Sequence, residues 1–325
     1  MTRATPSRGW VLLAFAAVYL IWGSTYLAIL FAIETLPGFL MAGVRYLVAG
    51  AVLLAVARAR GAPRPRGEHW RSAAVVGVLL IMLGNGGVVW AEYRVPSGVA
   101  ALLIATVPLW MVLGEWLRPG GRRPGLPVFA GLLLGLVGLG MLLGPDALAG
   151  GARVDPLGAL ALAVASISWA TGSLYSRQAP TPSSPLLAIG MQQFAGGAAL
   201  VVLSGLTGEM AQVDPSAISL PSTLALLYLI VFGSIVGFSA YMWLLQVSTP
   251  EKVSTYAYVN PVVAVLLGWA FAGEAITMRL AAGAAVILAG VALITLAPRL
   301  RRAPGPAPAR GTGAAPVLGP ASPRR

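Results

Sequence analysis

Ten apolar runs, each about 20 residues long, follow one another along this chain. They fall near 10–31, 37–57, 73–91, 97–117, 126–144, 157–176, 185–206, 223–246, 253–272 and 280–297. A helix needs about 20 mostly apolar residues to cross the hydrocarbon core of a bilayer. The runs therefore predict an all-α integral membrane protein with ten transmembrane helices. Composition agrees: 58% of the residues are hydrophobic and 10% charged, where a soluble domain carries roughly a quarter charged residues.

The net charge of +12 could point to nucleic acid, but the charges do not gather on one element. They sort by connection. The N-terminus holds Arg3 and Arg8; the second connection Arg58, Arg60, Arg64, Arg66 and Arg71; the fourth Arg118, Arg122 and Arg123. The sixth holds Arg177, the eighth Lys252, and the C-terminal tail Arg299, Arg301, Arg302, Arg310, Arg324 and Arg325. The odd-numbered connections hold only Arg94, Arg153 and Arg279. Positive charge collects on the cytoplasmic side of membrane proteins, so both termini are expected in the cytoplasm. An even number of spans requires the same. The partners expected are the lipid bilayer and a small-molecule substrate, with no nucleic acid; nothing in the sequence argues for or against a homodimer. The first run has no small-x-small cleavage site where a signal peptide would need one, and reads as an uncleaved span. There is no cysteine, hence no disulfide, thiolate metal site or catalytic thiol.

The chain also resembles itself. "ATVPLWMVL" with Pro108 matches "YVNPVVAVL" with Pro261, and Pro96 and Pro250 stand at similar distances upstream. "FAGLLLGLVGLG" pairs with "AAGAAVILAGVA", matching Gly131 to Gly283 and Gly138 to Gly290. "MLGNGG" pairs with "VFGSIVG", and Trp22 with Trp169. One five-span unit is used twice, and because five is odd the second copy enters the membrane from the opposite side. Inverted repeats place a substrate site near the midplane where the copies meet. The expected organisation is a cytoplasmic N-terminus (1–9), a first five-helix repeat (10–144), a periplasmic linker (145–156), a second, inverted repeat (157–297) and a Pro/Ala/Gly/Arg-rich cytoplasmic tail (298–325) expected to be disordered.

Four segments taken in order, "IWGSTY", "GVRYL" around Arg45, "PSGVAALLIATVPL" and "YAYVNPVVAVLLG", make the chain resemble the drug/metabolite transporter superfamily, and more closely the EamA-type permeases of bacteria. The resemblance covers about residues 10–297. It implies two inverted five-helix repeats in a bacterial inner membrane and export of small metabolites, amino acids or drug-like compounds. It does not fix the substrate, because members of the family differ widely in what they carry.

Several residues are candidates for the substrate cavity. On the first helix Tyr19, Trp22, Thr25 and Tyr26 share a face, while Leu20 and Leu27 point elsewhere. Lipid cannot satisfy the polar groups of such a stripe. Gly23 and Ser24 suit helix packing equally well. Arg45 lies about 12 Å into the second span at 1.5 Å per residue, and a charge at that depth needs a partner or water. Two readings stay open: a bidentate anchor for a substrate carboxylate, or a structural tie to helix carbonyls, Glu34 or Glu92. Asn85, Trp169, Gln192, Gln193, Tyr241, Trp243, Tyr256, Tyr258 and Asn260 add further polar and aromatic positions, each of which an interhelical hydrogen bond would also explain. Pro108 and Pro261 are expected to kink or hinge their helices.

Other function classes find little to work with. The one histidine, His69, falls in a connection, and the ten acids lie almost wholly in connections or at span ends. Intramembrane hydrolysis and metal chemistry would need more, so no enzyme, metal or cofactor is expected. A nucleotide-driven pump would need a G-x-x-x-x-G-K-[ST] loop, and the chain has none. No proton-coupling group stands out; Glu115 is the deepest acid, near Arg118. A secondary exporter of amino acids or related metabolites is the first reading. A multidrug, lipophilic-cation permease and a passive facilitator without ion coupling are the alternatives.

Overall fold

The computed structural model describes residues 7–95, 103–121, 123–143, 155–272 and 277–300, and every regular element among them is helical. Pro96, most of the expected linker and the tail beyond residue 300 lie outside the described residues. In chain order come α1 (Arg8–Ile33) and α2 (Gly38–Ala59). Then α3 (Gly67–Val76) runs through a π-helical stretch (Gly77–Asn85) into α4 (Gly86–Glu92). There follow α5 (Val107–Leu117), α6 (Leu126–Leu143), α7 (Pro156–Ser176) and α8 (Pro185–Leu206). Next, α9 (Leu220–Tyr228) runs through a second π-helical stretch (Leu229–Phe238) into α10 (Ser239–Val247). A one-turn α11 (Pro250–Val253), α12 (Tyr256–Ala272) and α13 (Met278–Leu300) complete the described residues.

Among the described residues, six helical segments are long and apolar enough to cross a membrane: Arg8–Ile33, Gly38–Ala59, Gly67–Ala91, Pro156–Ser176, Pro185–Leu206 and Leu220–Val247. Val107–Leu117, Leu126–Met141 and Ala281–Leu296 are apolar but shorter. The sequence marks where several of them begin. Asp155 accepts from Leu157 N (2.9 Å) ahead of Pro156, and Ser184 accepts from Leu187 N (3.4 Å) ahead of Pro185. A capping side chain and a proline in the first turn both satisfy a helix start. Helix α2 has no cap of its own. Instead Glu209, beyond the end of α8, reaches it: Oε1 accepts from Phe39 N (3.3 Å) and Oε2 from Leu40 N (3.0 Å).

The prolines differ from expectation in one case. Pro108 stands at a break in its run and not in a helix interior. It sits in the first turn of α5, just after a turn at Ala105–Thr106, where its missing N–H costs nothing. Pro261 lies inside α12 and leaves the Ala257 carbonyl without its helical donor. The ninth run is also interrupted, at Ser254–Thr255, between α11 and α12.

Two helix pairs dominate the packing, α2 with α8 and α6 with α13, and both cross on glycines. A Cβ on Gly50 would lie 2.5 Å from Phe194 N and 2.9 Å from Gly190 O, and one on Gly197 would lie 2.9 Å from Gly43 O. In the other pair a Cβ on Gly131 would lie 2.8 Å from Gly290 O, and one on Gly138 2.9 Å from Gly283 O. Each crossing reads the same from either helix, since Gly43 and Gly50 sit on α2 as Gly190 and Gly197 sit on α8. Backbones this close gain dispersion contacts that lipid cannot supply.

Candidate functional site

Helix α1 carries its polar stripe inward: Trp22 and Thr25 are buried while Leu20 and Leu27 are exposed. With α2, the first π-helical stretch, α4, α7 and α12 it surrounds a cavity of about 100 Å³. Trp22, Arg45, Asn85, Trp169, Tyr256 and Asn260 stand on its wall. Most of the remaining lining is apolar, and Arg45 is the charged residue among the lining residues. A wider basin of about 580 Å³ lies beside it, bordered by Glu34, Trp90, Arg94 and Glu209, and Val89 stands on the wall of both.

Arg45 is 3% exposed. Its Nε donates to Ser234 Oγ at 2.8 Å, and its guanidinium carbon lies 4.8 Å from the centre of the Tyr46 ring. Of the carboxylates proposed from sequence, Glu34 is exposed and forms no ion pair, and the side chain of Glu92 lies outside the described residues. Among the described residues no carboxylate pairs with Arg45. Gly233 gives the guanidinium its space, because a Cβ there would come within 2.7 Å of Nη2. Binding through Nε leaves the two terminal nitrogens, the pair that grips a carboxylate bidentately.

The aromatic residues form one block. The Trp22 ring lies 5.0 Å from Tyr241, 5.0 Å from Tyr256 and 5.7 Å from Trp169, centre to centre. Tyr241 stands behind the wall and not on it: Trp169 Nε1 donates to its hydroxyl (2.9 Å), and Ser173 shares a hydrogen bond with it (2.6 Å). Gln193 is likewise set back, with Nε2 donating to Ser234 O at 3.1 Å. Tyr258 is apart from the cavity altogether. It packs on Gly135 of α6, and its hydroxyl donates to Leu132 O (3.3 Å). The Asn260 amide faces the carbonyls of Tyr256 (3.1 Å) and Tyr19 (3.3 Å), and the amide orientation assigned from these acceptors has its nitrogen donating to both. The side chain of Tyr26 lies outside the described residues.

Gly23 and Ser24 serve packing. A Cβ on Gly23 would lie 2.6 Å from Val263 of α12, and Ser24 Oγ donates to Ile21 O (2.7 Å) and meets the Tyr228 hydroxyl at 2.5 Å. Among the described residues, Asn85 Oδ1, Gln192 Oε1 and Gln193 Oε1 are buried and without a hydrogen-bond partner. Ser234 and Gly233 were not singled out from the sequence; the only hint was the match of "VFGSIVG" to the segment holding Asn85.

At the end of the bundle carrying the α7 C-terminus, Arg177 Nη1 donates to Leu245 O (2.5 Å) and Ser248 O (2.9 Å). Burial lowers this guanidinium from its ordinary value, opposed by the nearby carboxylate of Glu115. Glu115 itself pairs with Arg118.

Comparison with known proteins follows the same lines. The EamA-like transporter family matches the chain twice, over residues 8–144 and 156–296. The protein named "Uncharacterized inner membrane transporter YedA" of Escherichia coli (strain K12) is 40% identical over 284 residues, 87% of this chain and 90% of its own. "Protein PecM" of Dickeya dadantii (strain 3937) is 27% identical over 84% of this chain and 88% of its own. A solved crystal structure shares the fold with a TM-score of 0.74 and 25% identity, covering 91% of this chain and all of that one. The chain belongs to the EamA-like transporter family.

Proposed function

We propose that the chain is a secondary transporter of ten transmembrane helices, arranged as two inverted five-helix repeats in an inner membrane with both termini cytoplasmic. It exports small organic metabolites bearing a carboxylate, amino acids or related compounds, by alternating access. One observation carries the substrate class: Arg45 is buried on the cavity wall and, among the described residues, has a hydroxyl and an aromatic face for partners but no carboxylate. A buried unpaired cation is costly, and a substrate carboxylate relieves that cost. The lining residues include no acid to balance a lipophilic cation. Trp22, Trp169 and Tyr256 offer apolar surface to the rest of the solute, and Asn85 offers an acceptor to its N–H or O–H groups. Tyr26 stays a candidate on the face it shares with Trp22, while Tyr258 drops to second place for its place apart from the wall.

Uptake into proteoliposomes of labelled amino acids and one lipophilic cation, with and without a proton gradient, tests this reading. The expected result is saturable amino-acid uptake with counterflow, with a KM about 10- to 100-fold higher in Arg45→Ala, the loss of a charge-assisted pair. Movement of the cation alone, unchanged in Arg45→Ala, would overturn it.

A further inference from the structure

The two π-helical stretches occupy matching places in the two halves, Gly84–Asn85 in the first against Gly233–Ser234 in the second. Their contacts do not match. Gly233–Ser234 is held from three helices: Trp22 Nε1 donates to Gly233 O (3.1 Å), Gln193 Nε2 to Ser234 O (3.1 Å) and Arg45 Nε to Ser234 Oγ (2.8 Å). At the matching place Trp169, the counterpart of Trp22, lies against Gly84, where a Cβ would come 2.9 Å from its ring. Its indole N–H turns instead to Tyr241. Asn85 Oδ1, the counterpart of the Ser234 hydroxyl, is buried with no partner among the described residues. The glycine pairs of α2 and α8 also match Arg45 to Gln192, whose Oε1 is buried without a partner.

One latch is therefore made and its twin is open. π-Helical turns are uncommon and cluster at functional sites, and donors on their polar groups help decide whether they persist. Two inverted copies change facing when they exchange conformations, which requires that equivalent contacts be unequal at any moment.

We propose that Ser234 and Asn85 are the two ends of a conformational switch. In the state described, Arg45 latches the second π-helical stretch through Ser234. In the opposite-facing state that latch opens, and Gln192 donates its amide N–H to Asn85 Oδ1. The proposal rests on the alternating-access reading above. Arg45 belongs to both the latch and the cavity wall, so a carboxylate drawn to its guanidinium loads the latch directly and ties binding to the change of state.

The absence of cysteine makes the test clean. Val89→Cys places a single thiol on the wall shared by the cavity and the basin. Its maleimide labelling rate is read in the full-length protein in lipid nanodiscs, with no solute added. Ser234→Ala should shift the rate in one direction by up to roughly tenfold, the ratio that one charge-assisted hydrogen bond commands. Asn85→Ala and Gln192→Ala should shift it in the other, and Ser234→Ala combined with Asn85→Ala should return it toward the parent. Melting curves identify any variant that unfolds, for which Ser234→Gly and Asn85→Val are substituted. Shifts in the same direction, or none, overturn the switch. If opposed shifts appear but amino acids neither bind nor protect the thiol, the switch stands and the substrate assignment falls.

Discussion

Replacing Gly233 by alanine puts a methyl 2.7 Å from Arg45 Nη2 and 3.2 Å from Thr25 Cγ2. The flexible end of the arginine is the part that gives way, so the guanidinium leaves its place while the helices keep theirs. Gly233→Ala should raise KM for a carboxylate about tenfold, a loss on the scale of one charged hydrogen bond, with melting temperature little changed. Transport kinetics and a thermal melt read both. Arg45 was legible from sequence because a lone charge inside an apolar run stands out. Its partner was not, since Ser234 is 189 residues away and a serine in a helix can satisfy itself on its own backbone. Tyr258 misled for a related reason: a buried tyrosine needs one acceptor, and Leu132 O supplies it as well as a ligand would.

At the scale of the element, the start of α2 depends on a residue from another part of the chain. Glu209→Ala leaves the N–H groups of Phe39 and Leu40 without their acceptor and should cost about 1 kcal/mol, a typical helix cap; unfolding in detergent checks this. Gly50→Val is harsher. Its Cβ would meet backbone, Phe194 N at 2.5 Å, and backbone cannot rotate away. The α2–α8 pair must separate, with a cost beyond the roughly 1–3 kcal/mol of ordinary overpacking, seen as loss of folded protein in size-exclusion chromatography. The sequence displayed the glycine match of α6 with α13, because both segments are glycine-rich and collinear. It concealed that of α2 with α8, where the matched glycines sit among dissimilar neighbours. The π-helical stretches were invisible, since the apolar runs that contain them satisfy an α-helical pattern equally well.

For the whole molecule, the distribution of arginine predicts that a fluorescent reporter fused after the last residue, of a kind that matures only in the cytoplasm, will glow in intact cells. A dark fusion beside a bright cytoplasmic control would reverse the assigned orientation. Membrane character and the doubling of the chain were open to reading because hydropathy and repetition are properties of long segments and survive local divergence. The cavity was not, because it is assembled from helices of both halves whose facing side chains no periodicity specifies. The glycine crossings carry one more consequence. Each joins a helix of the first half to a helix of the second, so neither half can cover its own glycine stripes. During synthesis, at roughly 5–20 residues per second, the first half waits in the bilayer for on the order of ten seconds or more before its complement is made. For that interval it is an orphan, open to membrane proteases and to pairing with the wrong copy, and the speed of the ribosome becomes part of how the protein reaches its fold.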